Sequence, residues 1–318
     1  MSEQKIPVIF DCDPGVDDAV ALMVAFAQPK LDILAVTTVA GNVSIEMTTR
    51  NARTMLSVLG VTSRVYQGAS GPLLTTLQTR FSTAHGDTGL GTYTMPDADL
   101  HPLEPESALE AQSRILREAT EPVTIIAVGP LTNIAILLKA YPELKEKIAQ
   151  ISIMGGGFHT GNASAAAEFN IWFDPEAAEI VFDSGVPILL AGLDVTAQAT
   201  MSGRHLLDLR GVGNATSVML ADALEVYFGG MPSMDVADSP DTLHDVVSVL
   251  ALTDPDLFSG RDLLVRVETG GNYCRGYTVA DFRSPHERRS HLVPNCHVLL
   301  ELDLDRFHEK ILAAAKRF

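Results

Sequence analysis

Cysteine is scarce in this chain, tryptophan scarcer, and positive charge thin. The three cysteines, Cys12, Cys274 and Cys296, are scattered, odd in number and without metal-ligand spacing. They argue against a disulfide framework and fit a reducing, cytoplasmic setting. Lys and Arg total 23 against 40 Asp and Glu, a formal charge of −17 over 318 residues. That balance disfavours nucleic acid or an anionic membrane as partner, since both demand attraction to phosphate. No apolar run approaches the ~20 residues that span a bilayer. Residues 1–5 enter an apolar strand directly, without the charged and apolar regions of a signal peptide, so none is expected. No linker, internal repeat or low-complexity stretch breaks the chain, which reads as a single domain over residues 1–318.

What is abundant is acid, concentrated near the start. Asp11-Cys12-Asp13-Pro14-Gly15-Val16-Asp17-Asp18 packs four carboxylates into eight residues, and no Lys or Arg occurs between Lys5 and Lys30. The run Ile6 to Phe10 is short and apolar, as a buried strand should be; from Val16 a long apolar stretch with acids in its first turn predicts a helix. Asp11 and Asp13 therefore belong to the carboxyl end of a strand, and Asp17 and Asp18 to a helix start, the crevice where open α/β sheets bind ligands. Unit charges this close repel by about 1–4 kcal/mol per pair. Protonation, flanking cations or a bound metal must compensate. Clustered hard oxygens suit Ca²⁺ better than Mg²⁺, which keeps more of its water. The spacing is not that of an EF-hand. Cys12, between Asp11 and Asp13, is expected to point into the core.

Strands and helices then alternate with short connections. Strands are predicted at 31–39, 64–67, 123–128, 150–154 and 186–191, and helices at 44–59, 107–119 and 131–140, with another starting near Asp174-Pro175-Glu176. This is the pattern of an α/β fold, a mainly parallel open sheet with helices on both faces. Its Gly/Asn/Asp-rich turns gather on one rim. Residues 69–104 lack periodicity and read as a loop or partial lid carrying His85. Residues 204–258 read as mostly helical, interrupted at 229–242. Segments 263–268, 276–282 and 295–302 alternate in the β manner, a small C-terminal β segment, before a closing helix from Leu304. The rim offers carboxylates and amides but no phosphate-binding Gly-rich loop with Lys, so a neutral polyhydroxylated ligand such as a sugar suits it.

Read together, these motifs resemble the nucleoside hydrolase family, in its inosine-uridine or pyrimidine-preferring branch. The likeness starts in the Asp11–Ala19 stretch and continues through Val39-Ala40-Gly41-Asn42, Leu131-Thr132-Asn133, Met154-Gly155-Gly156, Asn162, Ala167-Glu168-Phe169-Asn170, Asp174-Pro175-Glu176-Ala177-Ala178 and His244-Asp245, in family order. The resemblance implies hydrolysis of the N-glycosidic bond of ribonucleosides with one Ca²⁺. It implies Asp13, Asp18, Asp245 and the carbonyl of Val128 as metal ligands, and Asp13 also as general base on water. Asp17, Asn42, Asn162, Glu168, Asn170 and Asp245 would hold the ribose, over a floor of Met154. His244 is the natural acid for the leaving base, with His85 second. A homodimer or homotetramer is the usual family assembly. Carboxylates around the sugar are what an oxocarbenium-like transition state requires.

Other residues read more plainly. Thr132 and Asn133 are expected to cap a helix or brace the loop carrying Val128, Asp174 to cap its helix, and His159 to lie in a surface turn. His101, His205, His286, His291, His297 and His308 are expected to be structural. Tyr227 is a candidate for stacking on the base. Purine-specific members use tryptophans there, whereas Trp172 is the only one present. Asp241-Thr242-Leu243 precedes His244 where pyrimidine-preferring members tend to carry prolines, and Ala197 follows Thr196 where a His is frequent. Base preference is left open on these grounds. Two rival functions remain: a Ca²⁺-dependent nucleoside- or ribose-binding protein without turnover, and a Mg²⁺-dependent aspartyl phosphatase, which the Pro14-Gly15 following Asp13 fits poorly.

Overall fold

The computed structural model describes residues 5–74, 84–235, 241–284 and 293–318. In chain order, its elements begin β1 (Ile6–Cys12), α1 (Val16–Ala27), β2 (Leu31–Thr38), α2 (Ile45–Leu59), β3 (Val65–Gln67), α3 (Ala108–Glu118), β4 (Val123–Ala127) and α4 (Thr132–Ala140). They continue β5 (Ile148–Met154), α5 (Phe169–Phe173), α6 (Pro175–Phe182), β6 (Ile188–Ala191), α7 (Leu193–Thr196), α8 (Gly203–Gly211), α9 (Ala215–Tyr227) and α10 (Val246–Thr253). Last come β7 (Phe258–Leu263), β8 (Val265–Val267), β9 (Thr278–Ala280), β10 (Cys296–Leu302) and α11 (Leu304–Ala315).

Eight strands form one sheet in the order β3-β2-β1-β4-β5-β6-β10-β7, parallel throughout except for β7, which runs antiparallel to β10. Strand alternation divides the core between its two faces. Val8, Phe10 and Cys12 of β1 pack with α1 and the helices around it, whereas Ile9 packs with α4 and α6. Helix α1 is buried along almost its whole length, against α2, α9, α10 and α11, which is why its sequence is apolar on every side. Helix α2 instead buries Ile45, Ala52, Met55, Leu56 and Leu59, a stripe of helical spacing, and ends on Gly60 in the left-handed region.

Connections reverse direction between β1 and β4, which are neighbours although five elements, α1, β2, α2, β3 and α3, separate them in sequence. The crevice outside the carboxyl ends of those two strands is the position where such sheets accept ligands.

The α/β reading and its mainly parallel sheet hold, with differences toward the C-terminus. Residues 263–268 were expected as one strand, but the chain turns at Leu264 and divides between β7 on the main sheet and β8 in a separate antiparallel hairpin with β9. Strand β7 begins inside a region that reads as helical. It is an edge strand whose Ser259, Arg261 and Asp262 lie on or near the surface, so its sequence carries little apolar alternation. Strand β10 joins the main sheet beside β6, so the C-terminal β segment is larger than the separate hairpin. Among the described residues no helix is long and apolar enough to cross a membrane.

Candidate active site

Asp13 lies one residue beyond β1, where two turns close on its carboxylate. Its Oδ2 accepts the Asn42 backbone N–H at 2.6 Å, while its Oδ1 is buried without a hydrogen-bond partner among the described residues. Gly41 and Gly129 form the walls, and a Cβ on either would overlap an Asp13 carboxylate oxygen. Only glycine lets the two backbones approach this closely.

Asp18 sits in the first turn of α1 and folds back on the strand-helix connection. Its Oδ1 accepts Asp13 N–H at 3.2 Å; its Oδ2 accepts Gly15 N–H at 2.9 Å and the Asn42 side-chain amide at 3.2 Å. Asp245 precedes α10, delivered by a short antiparallel pairing in which Leu243 N–H donates to Ala199 at 2.9 Å. Carboxylate oxygens of Asp17, Asp18 and Asp245 all come within 4.8 Å of one another, although 227 residues of sequence separate Asp18 from Asp245.

Buried acids facing acids resist ionisation. Burial, and then repulsion by Asp17, pushes the Asp18 carboxyl up to about 7. Asp13 is raised well above the ordinary carboxylate range by burial and then by Asp18, and Asp245 by burial and then by Asp17, Asp18 and Asp13. Among the described residues no Lys or Arg lines the cavity. Hard oxygens without counter-charge, one of them an unpartnered buried oxygen on Asp13, fit a divalent cation, which would favour the ionised forms.

Asp11, read from the sequence as a member of the same cluster, is separated from it. Its Oδ1 accepts from Thr37 Oγ1, from Asn133 Nδ2 at 2.8 Å and from Gln112 Nε2 at 3.3 Å, on the α3/α4 side of the sheet. Burial raises its carboxyl to about 7 against those three bonds. Asp13 is past the end of β1, so strand alternation no longer pairs its direction with that of Asp11. Cys12 points into the core as expected.

A cavity of about 210 Å³ opens in front of the acids. Asp17, Asn42, His85, Val128, Met154, Asn162, Glu168, Asn170, His244 and Asp245, ten residues singled out from the sequence, line it; Asp13 and Asp18 lie behind. Asn170 donates from its amide to the carbonyls of Val128 at 2.9 Å and Met154 at 3.1 Å. Glu168 caps α5, its oxygens accepting the N–H groups of Gly156, Asn170 and Ile171 at 2.9–3.2 Å. Burial nevertheless pushes the Glu168 carboxyl to about 7. Asn162 Oδ1 takes Phe169 N–H at 2.8 Å.

The two histidines are held differently. His85 Nδ1 accepts the Val16 N–H at 3.1 Å, which fixes the neutral ring with its proton on Nε2. Its ring stacks on Tyr227, centroids 4.8 Å apart and planes inclined by 17°. His244 has both nitrogens engaged, Nε2 with Thr242 Oγ1 at 2.9 Å and Nδ1 with Thr196 Oγ1 at 2.8 Å. Burial lowers both histidines below the ordinary imidazole value.

Phe169 and Ala163 also line the cavity and were not singled out as ligands. Phe169 lies between Glu168 and Asn170, so the motif itself signals its position. Nothing local points to Thr196 as a partner of His244, 48 residues away. Asn133 braces as expected, tying Asp11, the Thr38 carbonyl and Ala69 N–H together. Asp174 does more than cap α6: it also accepts from Thr132 Oγ1 at 2.7 Å and Leu73 N–H at 2.9 Å. His159 is exposed and pairs with Asp194. Within the 69–104 loop, Asn51 Nδ2 anchors the Thr88 carbonyl at 2.7 Å, whereas residues 75–83 lie outside the described residues.

Residues 8–309 match the family model described as inosine-uridine preferring nucleoside hydrolase. The chain is 41% identical over 303 residues to the pyrimidine-specific ribonucleoside hydrolase RihA of Citrobacter koseri, covering 95% of each chain. A relative of the same description from Escherichia coli O7:K1 is 40% identical over 314 residues, 98% of this chain and 99% of that one. Among solved structures, the purine-preferring ribonucleoside hydrolase from Gardnerella vaginalis superposes with a TM-score of 0.88 at 30% identity, covering 98% of both chains. The plant nucleoside hydrolase PpNRh1 gives 0.87 at 32% identity, over 98% of this chain and 99% of the other.

Proposed function

The chain belongs to the inosine-uridine preferring nucleoside hydrolase family and is a ribonucleoside hydrolase; from that premise we propose how its residues divide the work. The observation that carries the reading is the ring of Asp17, Asp18 and Asp245 beside the unpartnered Oδ1 of Asp13, at the point where the strand order reverses.

Ca²⁺ is the cation this donor set suits, held by Asp13, Asp18, Asp245 and the Val128 carbonyl. When bound it supplies a fixed positive charge and Lewis acidity at the ribose hydroxyls. Asp17, Asn42, Asn162, Glu168, Asn170 and Asp245 orient the sugar over Met154. Asp13 Oδ1, with no competing donor, takes the proton of the water that attacks the anomeric carbon. As the C–N bond breaks, its electron pair leaves with the base while the sugar gains positive charge, which the surrounding carboxylates stabilise.

The departing base needs a proton. His244 is the acid in this reading and must exchange Thr242 Oγ1 for the base before it can donate. His85 is a neutral Nε2–H donor beside it, needing no rearrangement. The pyrimidine ribonucleosides uridine and cytidine are proposed as the preferred substrates. Support comes from the 41% identity to pyrimidine-specific relatives and from a cavity lined by Tyr227 and Phe169, with no Trp among its walls.

Incubation with uridine, cytidine, inosine, adenosine and guanosine, with and without chelator, tests all of this by release of reducing sugar. Fastest release from the two pyrimidines, lost on chelation and restored by Ca²⁺, is expected. Turnover indifferent to chelation would remove the cation from the account, and faster release from inosine would reverse the base preference.

A further inference from the structure

The geometry points to Asp11 as the positioning residue that holds the two turns closing on Asp13, through a three-donor hub behind the site; this rests on the reading of Asp13 given above. Asp11 ends no ligand path of its own, since its Oδ1 is engaged by Thr37 of β2, Gln112 of α3 and Asn133 of α4. These bonds join one residue of the central strand to three other elements. Its main-chain carbonyl also accepts Val128 N–H at 2.9 Å.

Each tie bears on a turn that touches Asp13. The bond to Asn133 spans residues 128–131, because Val128 and Asn133 lie on either side of that turn and both are held by Asp11. Gly129, inside the turn, abuts Asp13 Oδ1. The bond to Thr37 fixes the end of β2, from which residues 39–42 deliver Gly41 against Asp13 Oδ2 and the Asn42 N–H that donates to it. Asn133 closes the loop of contacts by donating to the Thr38 carbonyl at 2.9 Å and accepting Ala69 N–H at 2.9 Å, while Ala40 N–H donates to the Ala69 carbonyl. Groups that orient a ligand from behind are worth about 10–100-fold in metal affinity or rate in other metal sites.

Asp11→Asn and Asp11→Ala separate this role from others. Asn keeps the accepting Oδ1 and drops the charge, and the Gln112 Oε1 nearby is a buried acceptor without a partner for its amide. Hydrogen exchange on the metal-free protein is the first readout, independent of metal and substrate. Exchange at Val128 and Asn42 should accelerate in Asp11→Ala, beyond any general rise, and match wild type in Asp11→Asn. Calorimetric Ca²⁺ affinity should weaken about 10–100-fold in Asp11→Ala, with kcat falling more than KM rises and Asn restoring both. Thr37→Val and Asn133→Ala, each removing one donor, serve if Asp11→Ala does not fold, and should shift the same amides. Unchanged exchange at those amides, or Asp11→Asn as damaging as Asp11→Ala, overturns the hub. A wild type that takes up no Ca²⁺ and releases no sugar would defeat the functional reading, leaving the hub to stand or fall on the exchange data.

Discussion

Two cavities among the described residues each gather two histidines with three carboxylates, and the larger of the pair is not the one proposed for the chemistry. Between α8 and α11, about 370 Å³ is lined by His205, His308, Asp208, Asp305 and Glu309 over an apolar floor of Met201, Leu209, Ile311 and Leu312. The acid cavity at the sheet's rim measures about 210 Å³. In the helical cavity the histidines are bound up with structure. Their rings stack at 3.5 Å, His205 Nδ1 caps α8 by accepting Ser202 N–H, and His308 Nε2 donates to the Thr200 carbonyl at 2.7 Å. At the rim, like charges converge instead, and a buried oxygen of the neighbouring Asp13 lacks a partner among the described residues. Strand ends at a reversal of order bring such groups together from distant sequence, whereas a seam between two helices gathers whatever flanks the seam. Volume alone would have chosen neither, since two further cavities measure about 710 and 800 Å³.

The sharpest way to break that contrast is to alter each cavity in turn. Asp13→Asn keeps the shape and removes the proposed base; kcat on uridine should fall by about 10³-fold or more. A near-normal rate would take Asp13 out of the chemistry. His244→Ala should cost about 10²-fold with uridine and much less with an aryl riboside whose leaving group needs no proton. Equal losses on both substrates would refute the acid role. Glu168→Gln retains some cap bonds and loses the charge, so KM should rise by about 10-fold, measured by initial rates over a range of uridine concentrations.

How much of this could be read from residues alone follows the same division. The β1-α1 acids, the strand-end asparagines and the order of motifs were legible because each is local and chemically distinctive. The separation of Asp11 from Asp13 was not, since it depends on where β1 stops. Nor was the grip of Thr196 and Thr242 on His244, which folding alone assembles. Strand β7 escaped because an edge strand with exposed polar residues has no apolar period to show. Residues 75–83 and 236–240 lie outside the described residues.

The smallest effect is the most discriminating, because the two cavities should respond to pH with opposite sign. In metal-free protein Asp18 is raised from 3.8 to about 7 by burial and then by Asp17. The fold therefore keeps a proton that the unfolded chain gives up, so stability is full below pH ~4 and is lost as pH climbs towards 7. His308 is lowered from 6.5 to about 4 by burial and then by His205. There the unfolded chain gains a proton that the fold refuses, so stability holds above pH ~6.5 and declines as pH falls towards 4. In chelator, Asp18→Asn should flatten the loss on going from pH 5 to pH 8, and His308→Leu should steepen it, each by a few degrees in Tm on the order expected for a chain this long. Ca²⁺ should abolish the Asp18 component and leave that of His308 untouched, because among the described residues the carboxylates close enough together to share a cation lie at the rim. His308→Leu should also leave kcat and KM on uridine within about twofold of wild type, as surface and seam substitutions remote from a site usually do. If it slowed turnover, the larger cavity would be coupled to the smaller through the Thr200–Thr242 pairing that carries His244, and the contrast between the two regions would fail.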